Sequence, residues 1–102
     1  MEETIAGKQI SVNEEGYLTD FSQWTQEIGD AIAKKLGITM TPRHWEVIKF
    51  LQDEYKNGVA LSIRKIGKSS VVDIKEFYQL FPTAPLKASS KIAGIPKPAS
   101  CI

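Results

Sequence analysis

The sequence predicts a mainly α-helical domain that begins with a β-hairpin, continues as a small helical bundle and ends in an extended C-terminal arm. Near the N-terminus, polar and apolar residues alternate around glycine-containing turns, which is typical of a hairpin. Between residues 20 and 81, apolar residues recur at helical spacing between capping residues and stop signals. The last 21 residues hold four of the five prolines and no acid. We therefore expect one domain over 1–102, with the hairpin and helical body at 1–81 and the arm at 82–102.

The hairpin is predicted over residues 4–18. The first strand is expected at 4–6 and the second at 9–12, with Gly7-Lys8 as the turn between them. A second turn at 13–16 leads into Tyr17-Leu18, the start of a return strand. A hairpin alone is marginally stable in water, so this one must pack against the helices.

Two longer helices are predicted next. The first begins at Asp20 or Ser22 as N-cap and ends at Gly37, where a residue with a left-handed conformation is favoured. The second begins at Thr41 as N-cap, with Pro42 at the first helical position, and ends at Asn57-Gly58. Their core faces are expected to carry Trp24, Ile28, Ala31, Ile32 and Leu36 in the first, and His44, Val47, Ile48, Leu51 and Tyr55 in the second.

Two short helices and a third at the C-terminus complete the prediction. A helix over 62–68 and one capped by Ser70 and stopped by Pro82 would form a helix-turn-helix-like element. The buried stripe of the second of these is expected to be Val71, Ile74, Tyr78 and Phe81. A further helix over 85–93 would be capped by Thr83 and closed by Gly94, before Pro96-Lys97-Pro98 imposes an extended chain.

The composition limits what kind of protein this is. With 102 residues, 42% of them hydrophobic, the chain has enough material for one modest core. No apolar run approaches the roughly 18 residues of a membrane span, and the N-terminus lacks the basic-then-apolar order of a signal peptide. One cysteine and one histidine exclude an internal disulfide framework and leave no structural zinc site. We expect a soluble cytoplasmic protein without a membrane contact, a metal or another cofactor.

The small net charge of +1 hides an asymmetry between the two halves of the chain. Residues 1–54 carry ten acidic and five basic side chains, whereas residues 55–102 carry two acidic and eight basic ones. Four of these bases, Arg64, Lys65, Lys68 and Lys75, lie on or beside the helix-turn-helix-like element. They would contact phosphates in a DNA-binding regulator, attract an acidic or RNA-bound partner, or simply form a solvated basic face.

Cys101 is the one plausible nucleophile of the chain. An arm of about seven residues in polyproline geometry reaches roughly 20 Å, enough to insert a thiol into the active site of another protein. The alternative is an exposed cysteine without a function. His44 lies in the first turn of a helix, and no nucleophile or carboxylate stands at a sequence spacing typical of a catalytic group. This favours a structural role for His44 over an acid–base role. Trp24 and Trp45 are predicted to anchor the core.

The C-terminal stretch carries a resemblance to a known family. It reads LFPTAP at 80–85, KIAGIPKP at 91–98 and CI at 101–102, and it is similar to the terminus of the DsrC/TusE family of sulfur-carrier proteins. Further matches run through the chain: Gly16-Tyr17-Leu18, Trp24, His44-Trp45, Tyr55, Arg64, Lys68 and Tyr78. Ala84 and Leu61 depart from the glycine and the proline that are usual in the family.

The resemblance implies that Cys101 carries sulfur as a persulfide, received from a donor protein and passed to an acceptor. In DsrC a second cysteine lies eleven residues earlier, where this chain has Ser90. A hydroxyl cannot hold sulfane sulfur or form a disulfide, so two-thiol chemistry is excluded. This departure places the chain nearer to TusE, which acts in the relay that delivers sulfur for the 2-thiolation of tRNA wobble uridine.

We therefore expect a sulfurtransferase-type carrier without an active site of its own, in which Cys101 is the reactive group. Lys97 and Lys91, together with Arg64 and Lys68, would favour the anionic sulfur or dock partners. The expected partners are an upstream persulfide donor and a downstream acceptor, which is a tRNA 2-thiouridylase with its tRNA. The alternatives are a DsrC-like partner of sirohaem sulfite reductase or of a sulfur-oxidation relay, and a helix-turn-helix DNA-binding regulator.

Overall fold

A computed structural model describes residues 1–59, 61–82 and 84–97 of the chain. The predicted class is confirmed, because an antiparallel hairpin leads into a bundle of helices. The strands are β1 (Glu2–Ile5) and β2 (Lys8–Ser11), and the helices are α1 (Gln26–Lys35), α2 (Pro42–Lys56), α3 (Ile63–Lys68), α4 (Ile74–Leu80) and α5 (Pro85–Ala93). No helix within the described ranges is long and apolar enough to span a membrane.

The hairpin starts earlier than predicted and turns one residue sooner. Ala6 and Gly7 form the turn with φ values of 53° and 77°, and Lys8 already pairs with Ile5. Two consecutive residues with positive φ make the turn twist in the same sense as the strands, which favours a two-residue connection. The predicted return strand is reduced to a single bridge between Val12 and Leu18.

The first predicted helix is divided into two parts. Asp20 caps a single 3-10 turn (Phe21–Gln23), and α1 begins only after a second cap, in which the Thr25 hydroxyl accepts from the Ile28 N–H. Trp24 therefore lies in extended backbone between the two parts and not on a helix face. Leu36, which was predicted to be buried, is the C-cap residue of α1 and is 41% exposed.

The start of α2 agrees with the prediction and gives His44 its role. The Thr41 hydroxyl accepts from the His44 N–H, and His44 Nδ1 accepts from the Thr41 N–H at 3.1 Å, which completes a reciprocal cap. Since Nδ1 accepts, Nε2 carries the proton and donates to the Leu80 carbonyl oxygen at 2.9 Å. His44 is buried and ties the start of α2 to the end of α4. Tyr55, predicted to be on the core face, is 40% exposed.

Helix α4 begins three residues later than predicted, and its buried face differs. The Asp73 carboxylate, not Ser70, caps the helix by accepting from the Glu76 N–H at 2.7 Å. Phe77 and Phe81 fill the core, while Ile74 and Tyr78 are 43% and 45% exposed. The larger apolar surface of the two phenylalanine rings decides which way the helix rotates.

Helix α5 belongs to the body and not to the arm. It packs against α1 and α2 and is buried along almost its whole length. Ala84, in the left-handed conformation, occupies the N-cap position without a side-chain hydrogen bond, and the predicted cap Thr83 lies outside the described residues. Since Ile95 is also buried, whereas Pro96 and Lys97 are exposed, the body extends to Ile95.

Gly94 ends α5 as predicted, in a left-handed conformation with a φ of 73°. Its N–H donates to the Lys91 carbonyl oxygen, and the Ile95 N–H reaches back to the Ser90 carbonyl oxygen at 3.2 Å. The indole of Trp24 lies directly against this turn: a Cβ on Gly94 would be 2.9 Å from Trp24 Cγ, closer than side chains approach one another. Both the conformation and the space at this position therefore require glycine.

We expect Gly94→Ala to destabilise the protein more than Gly58→Ala. Both glycines have a φ of 73°, but nothing lies within 4 Å of a Cβ on Gly58. Gly58→Ala should cost about 1 kcal/mol for backbone strain alone, and Gly94→Ala about 1–3 kcal/mol more because the indole must move. Urea unfolding measures both free energies. Equal costs for the two variants would contradict the packing of Trp24 against Gly94.

We expect His44→Ala to lower the free energy of unfolding by about 2 kcal/mol, because the reciprocal cap and the bond to Leu80 are both lost. His44→Gln is the matched variant, since a glutamine at this position can restore the cap but not the reach to Leu80. It should cost about half as much. A loss in His44→Gln as large as in His44→Ala would show that the cap contributes little.

Candidate functional site

The predicted reactive residue lies outside the described residues. Cys101 belongs to the segment 98–102, and the described chain ends at Lys97. The structure therefore describes the arm root, which we define as residues 90–97 together with the side chains that contact them.

Two side chains hold the C-terminal end of α5 in place. Trp24 Nε1–H donates to the Ile92 carbonyl oxygen at 2.7 Å, and Gln52 Nε2–H donates to the Ala93 carbonyl oxygen at 2.9 Å. The last carbonyl groups of a helix have no partner within the helix, so these donors satisfy acceptors that would otherwise be buried without a hydrogen bond. One donor precedes α1 and the other lies on α2, so the arm root is fixed to two parts of the body.

Lys97 connects the arm root to the turn that follows β2. Its Nζ lies 3.0 Å from a carboxylate oxygen of Glu15. The turn itself is ordered by Asn13 Oδ1, which accepts from the Glu15 and Tyr17 N–H groups at 2.9 and 3.1 Å. Both partners of the ion pair are partly exposed, and such pairs contribute little to stability. The pair therefore orients the chain at Lys97 and is easily broken when a partner approaches.

Lys91 lies on the same side of the arm root. Its Nζ is 5.3 Å from the centre of the ring of Tyr17, which is buried at the start of the chain after the turn. A cation over an aromatic face is held electrostatically while it stays in contact with water. The structure thus brings together two of the four predicted supporting cations, Lys91 and Lys97, around the 13–17 turn.

Ser90, at the position of the second family cysteine, is buried completely. Its hydroxyl has no hydrogen-bond partner among the described residues, whereas the neighbouring Ser89 hydroxyl donates to the Pro85 carbonyl oxygen at 2.6 Å. A serine at this position offers neither a thiol nor a metal ligand of the kind that cysteine provides.

Arg64 and Lys68, the other two predicted cations, are not part of the arm root. They lie on α3 with Lys65 and line a cleft of about 630 Å3. We call this cleft the basic cleft; it is completed by Phe50, Glu54, Ser62, Ser69, Ser70 and Val71. Phe50 and Glu54 lie on the opposite face of α2 from Gln52, because residues two apart on a helix are separated by about 200°. The basic cleft and the arm root are therefore on different sides of α2.

Sequence reasoning missed the groups that fix the arm root. Trp24 was assigned to a helix face and Gln52 and Glu15 to no role. No local signal marks Gln52 or Glu15, because their partners are 41 and 82 residues away in the chain. In the part of the chain that the structure describes, no three histidine, cysteine or acidic side chains come together as metal ligands.

The fold and the sequence match known proteins over nearly the whole chain. The family model described as "DsrC like protein" matches residues 4–102. The dissimilatory-type sulfite reductase subunit gamma of Nitratidesulfovibrio vulgaris is 41% identical, with 99% of this chain and 98% of that protein aligned. The sulfurtransferase TusE of Escherichia coli is 39% identical, over 94% of this chain and 95% of that protein.

A solved structure agrees with these sequence matches. The NMR structure of DsrC from Allochromatium vinosum superimposes with a TM-score of 0.80 at 36% identity, and all of both chains is covered. The hairpin and the helical bundle are therefore the arrangement of a known family, and the sequence match extends through the C-terminal cysteine. This chain belongs to the DsrC-like protein family.

Proposed function

We propose that this protein is a sulfur carrier in which Cys101 takes a sulfane sulfur from a donor and delivers it to an acceptor enzyme. The observation that carries the proposal is the family match over residues 4–102, which includes the single cysteine of the chain. The names of the relatives support it, since one is a sulfurtransferase and another a sulfite reductase subunit. The fixed arm root supports it as well, because a thiol that visits other proteins needs a defined point of departure.

The proposed transfer is an exchange of one sulfur–sulfur bond for another. The Cys101 thiolate attacks the outer sulfur of a donor persulfide, a new S–S bond forms, and the donor leaves as a thiolate. The acceptor then receives the outer sulfur in the same manner, and Cys101 is released as a thiolate. No external oxidant or reductant is required for the exchange.

The charges near the arm root suit this chemistry. Lys97 and Lys91 would favour the anionic thiolate and persulfide when the arm approaches the body, because an opposite charge nearby stabilises the ionised form. Among the described residues, the Lys97 ammonium group makes a surface ion pair and the Lys91 ammonium group a cation–π contact, and both interactions are readily exchanged. Ser90 limits the chemistry to one thiol, so a loaded carrier stays a persulfide.

We propose further that the carrier acts in the cytoplasm and supplies a tRNA 2-thiouridylase bound to its tRNA. The likeness to a sulfurtransferase TusE and the serine at position 90 support this pathway. The likeness to a sulfite reductase gamma subunit supports sirohaem sulfite reductase as the second candidate acceptor. The charge distribution gives a DNA-binding regulator no support, because α4, in the place of a recognition helix, carries Lys75 against Glu76 and the capping Asp73.

We expect the protein to gain one sulfur atom when it is incubated with sodium polysulfide, because the Cys101 thiolate takes the outer sulfur. Intact-mass spectrometry measures the adduct, and cyanide should remove it. Cys101→Ser should gain nothing, whereas Ser90→Ala, which removes a buried hydroxyl, should load as the wild type does. An adduct that persists in Cys101→Ser, or none on the wild type, would exclude the proposed carrier.

We expect the protein, when used as bait in an extract of its own source, to retain a tRNA 2-thiouridylase together with tRNA. Protein mass spectrometry and RNA sequencing identify the retained molecules, and Cys101→Ala is the control for retention that depends on the thiol. Retention of sirohaem sulfite reductase subunits in place of the thiouridylase would assign the carrier to the second pathway.

A further inference from the structure

The basic cleft holds three cations that are without an ion-pair partner among the described residues. Arg64, Lys65 and Lys68 are exposed on α3, and none of them forms an ion pair with a described residue. Arg64 and Lys68 are four residues apart on one helix, where like charges repel and destabilise the helix. Among the described residues that line the cleft, Glu54 is the single acid. A cluster of cations without ion-pair partners among the described residues fits a site whose counter-charges arrive with a ligand.

Acidic side chains border the cleft on the side of Val71. Arg43 Nη2 donates to the Val71 carbonyl oxygen at 2.5 Å, and the same guanidinium holds Glu76 at 2.7 and 2.8 Å and Glu46 at 2.8 Å. The hydrogen bonds from Arg43 lower the pKa of Glu76 below its usual value, so this carboxylate stays charged at neutral pH. A nucleic-acid backbone binds along a continuous row of basic side chains. Here the phosphates next to the cleft would lie against the carboxylates of Glu46 and Glu76 and be repelled by them.

The interior of the cleft is partly apolar. The half-buried side chains of Phe50 and Val71 line it, and the hydroxyls of Ser62, Ser69 and Ser70 lie around them. A volume of about 630 Å3 accommodates a few side chains and not a domain. Cations at one edge, hydroxyls and an apolar surface together match a short peptide whose carboxylates flank an apolar residue.

We propose that the basic cleft docks an acidic segment of the protein that exchanges sulfur with this chain, with an apolar side chain of that segment seated against Phe50 and Val71. The inference rests on the proposed carrier function for the identity of the partner. The cleft lies on the opposite side of α2 from the arm root, so a docked partner does not cover Trp24, Gln52 or Gly94. Docking and sulfur transfer then use separate surfaces.

The test uses the full chain and a fluorescein-labelled peptide of glutamates around one central phenylalanine. Fluorescence anisotropy should show binding that weakens about tenfold in Arg64→Glu and less than about twofold in Lys8→Glu, which changes the net charge equally on the remote hairpin. Amide chemical shifts should move over residues 62–71. Equal weakening in the two variants, or shifts spread over the whole surface, would overturn the proposal.

Two further measurements define the occupant and separate the two proposals. A peptide with glutamine in place of each glutamate should bind at least tenfold more weakly. A single-stranded RNA oligomer should not compete with the acidic peptide. If the RNA binds in the cleft more tightly than the peptide, the peptide assignment is overturned. Arg64→Glu should still load sulfur from polysulfide on Cys101, because a small donor needs no docking site. If the wild-type chain loads sulfur but does not bind the acidic peptide, the docking site alone is refuted. If the wild-type chain does not load sulfur, the carrier function is refuted.

Discussion

The contact between Trp24 and the turn at Gly94 joins the beginning of the helical body to its end. The indole occupies the space that any side chain at position 94 would need, and its N–H satisfies the Ile92 carbonyl oxygen at 2.7 Å. Because α5 is buried between α1 and α2, this contact also sets where the chain leaves the body. The direction of the arm root, the ion pair of Lys97 with Glu15 and the position of Lys91 over Tyr17 all depend on it.

The C-terminal limit of the buried body has a plain physical origin. Up to Ile95 the chain buries apolar side chains and pairs its backbone carbonyls, so these residues are held by the core. Pro96 and Lys97 are exposed and contribute no apolar surface to the core. Among the described residues the body therefore ends at Ile95 and not before Pro82, where the sequence predicts the start of the arm.

Local sequence signals correctly predicted the helix ends that depend on the chemistry of one or two residues. Thr41 with Pro42, and Gly94, act at the positions expected from their own chemistry. The prediction was wrong where two capping residues compete, as with Ser70 and Asp73, because the burial of Phe77 selects the register and local propensity does not. Cys101 was found through the resemblance of the C-terminus, whereas Gln52 could not be found, since its acceptor lies 41 residues away.

The buried serine at position 90 changes what oxidation would do to this protein. The chain holds one thiol, so a disulfide made by Cys101 has to join two molecules and cannot close a ring within one. Oxidation of Cys101 to a disulfide would then link this chain covalently to a second thiol-bearing molecule, at a rate that depends on the concentration of that molecule. With serine in place of cysteine at position 90, disulfide formation is therefore a reaction between molecules and not within one.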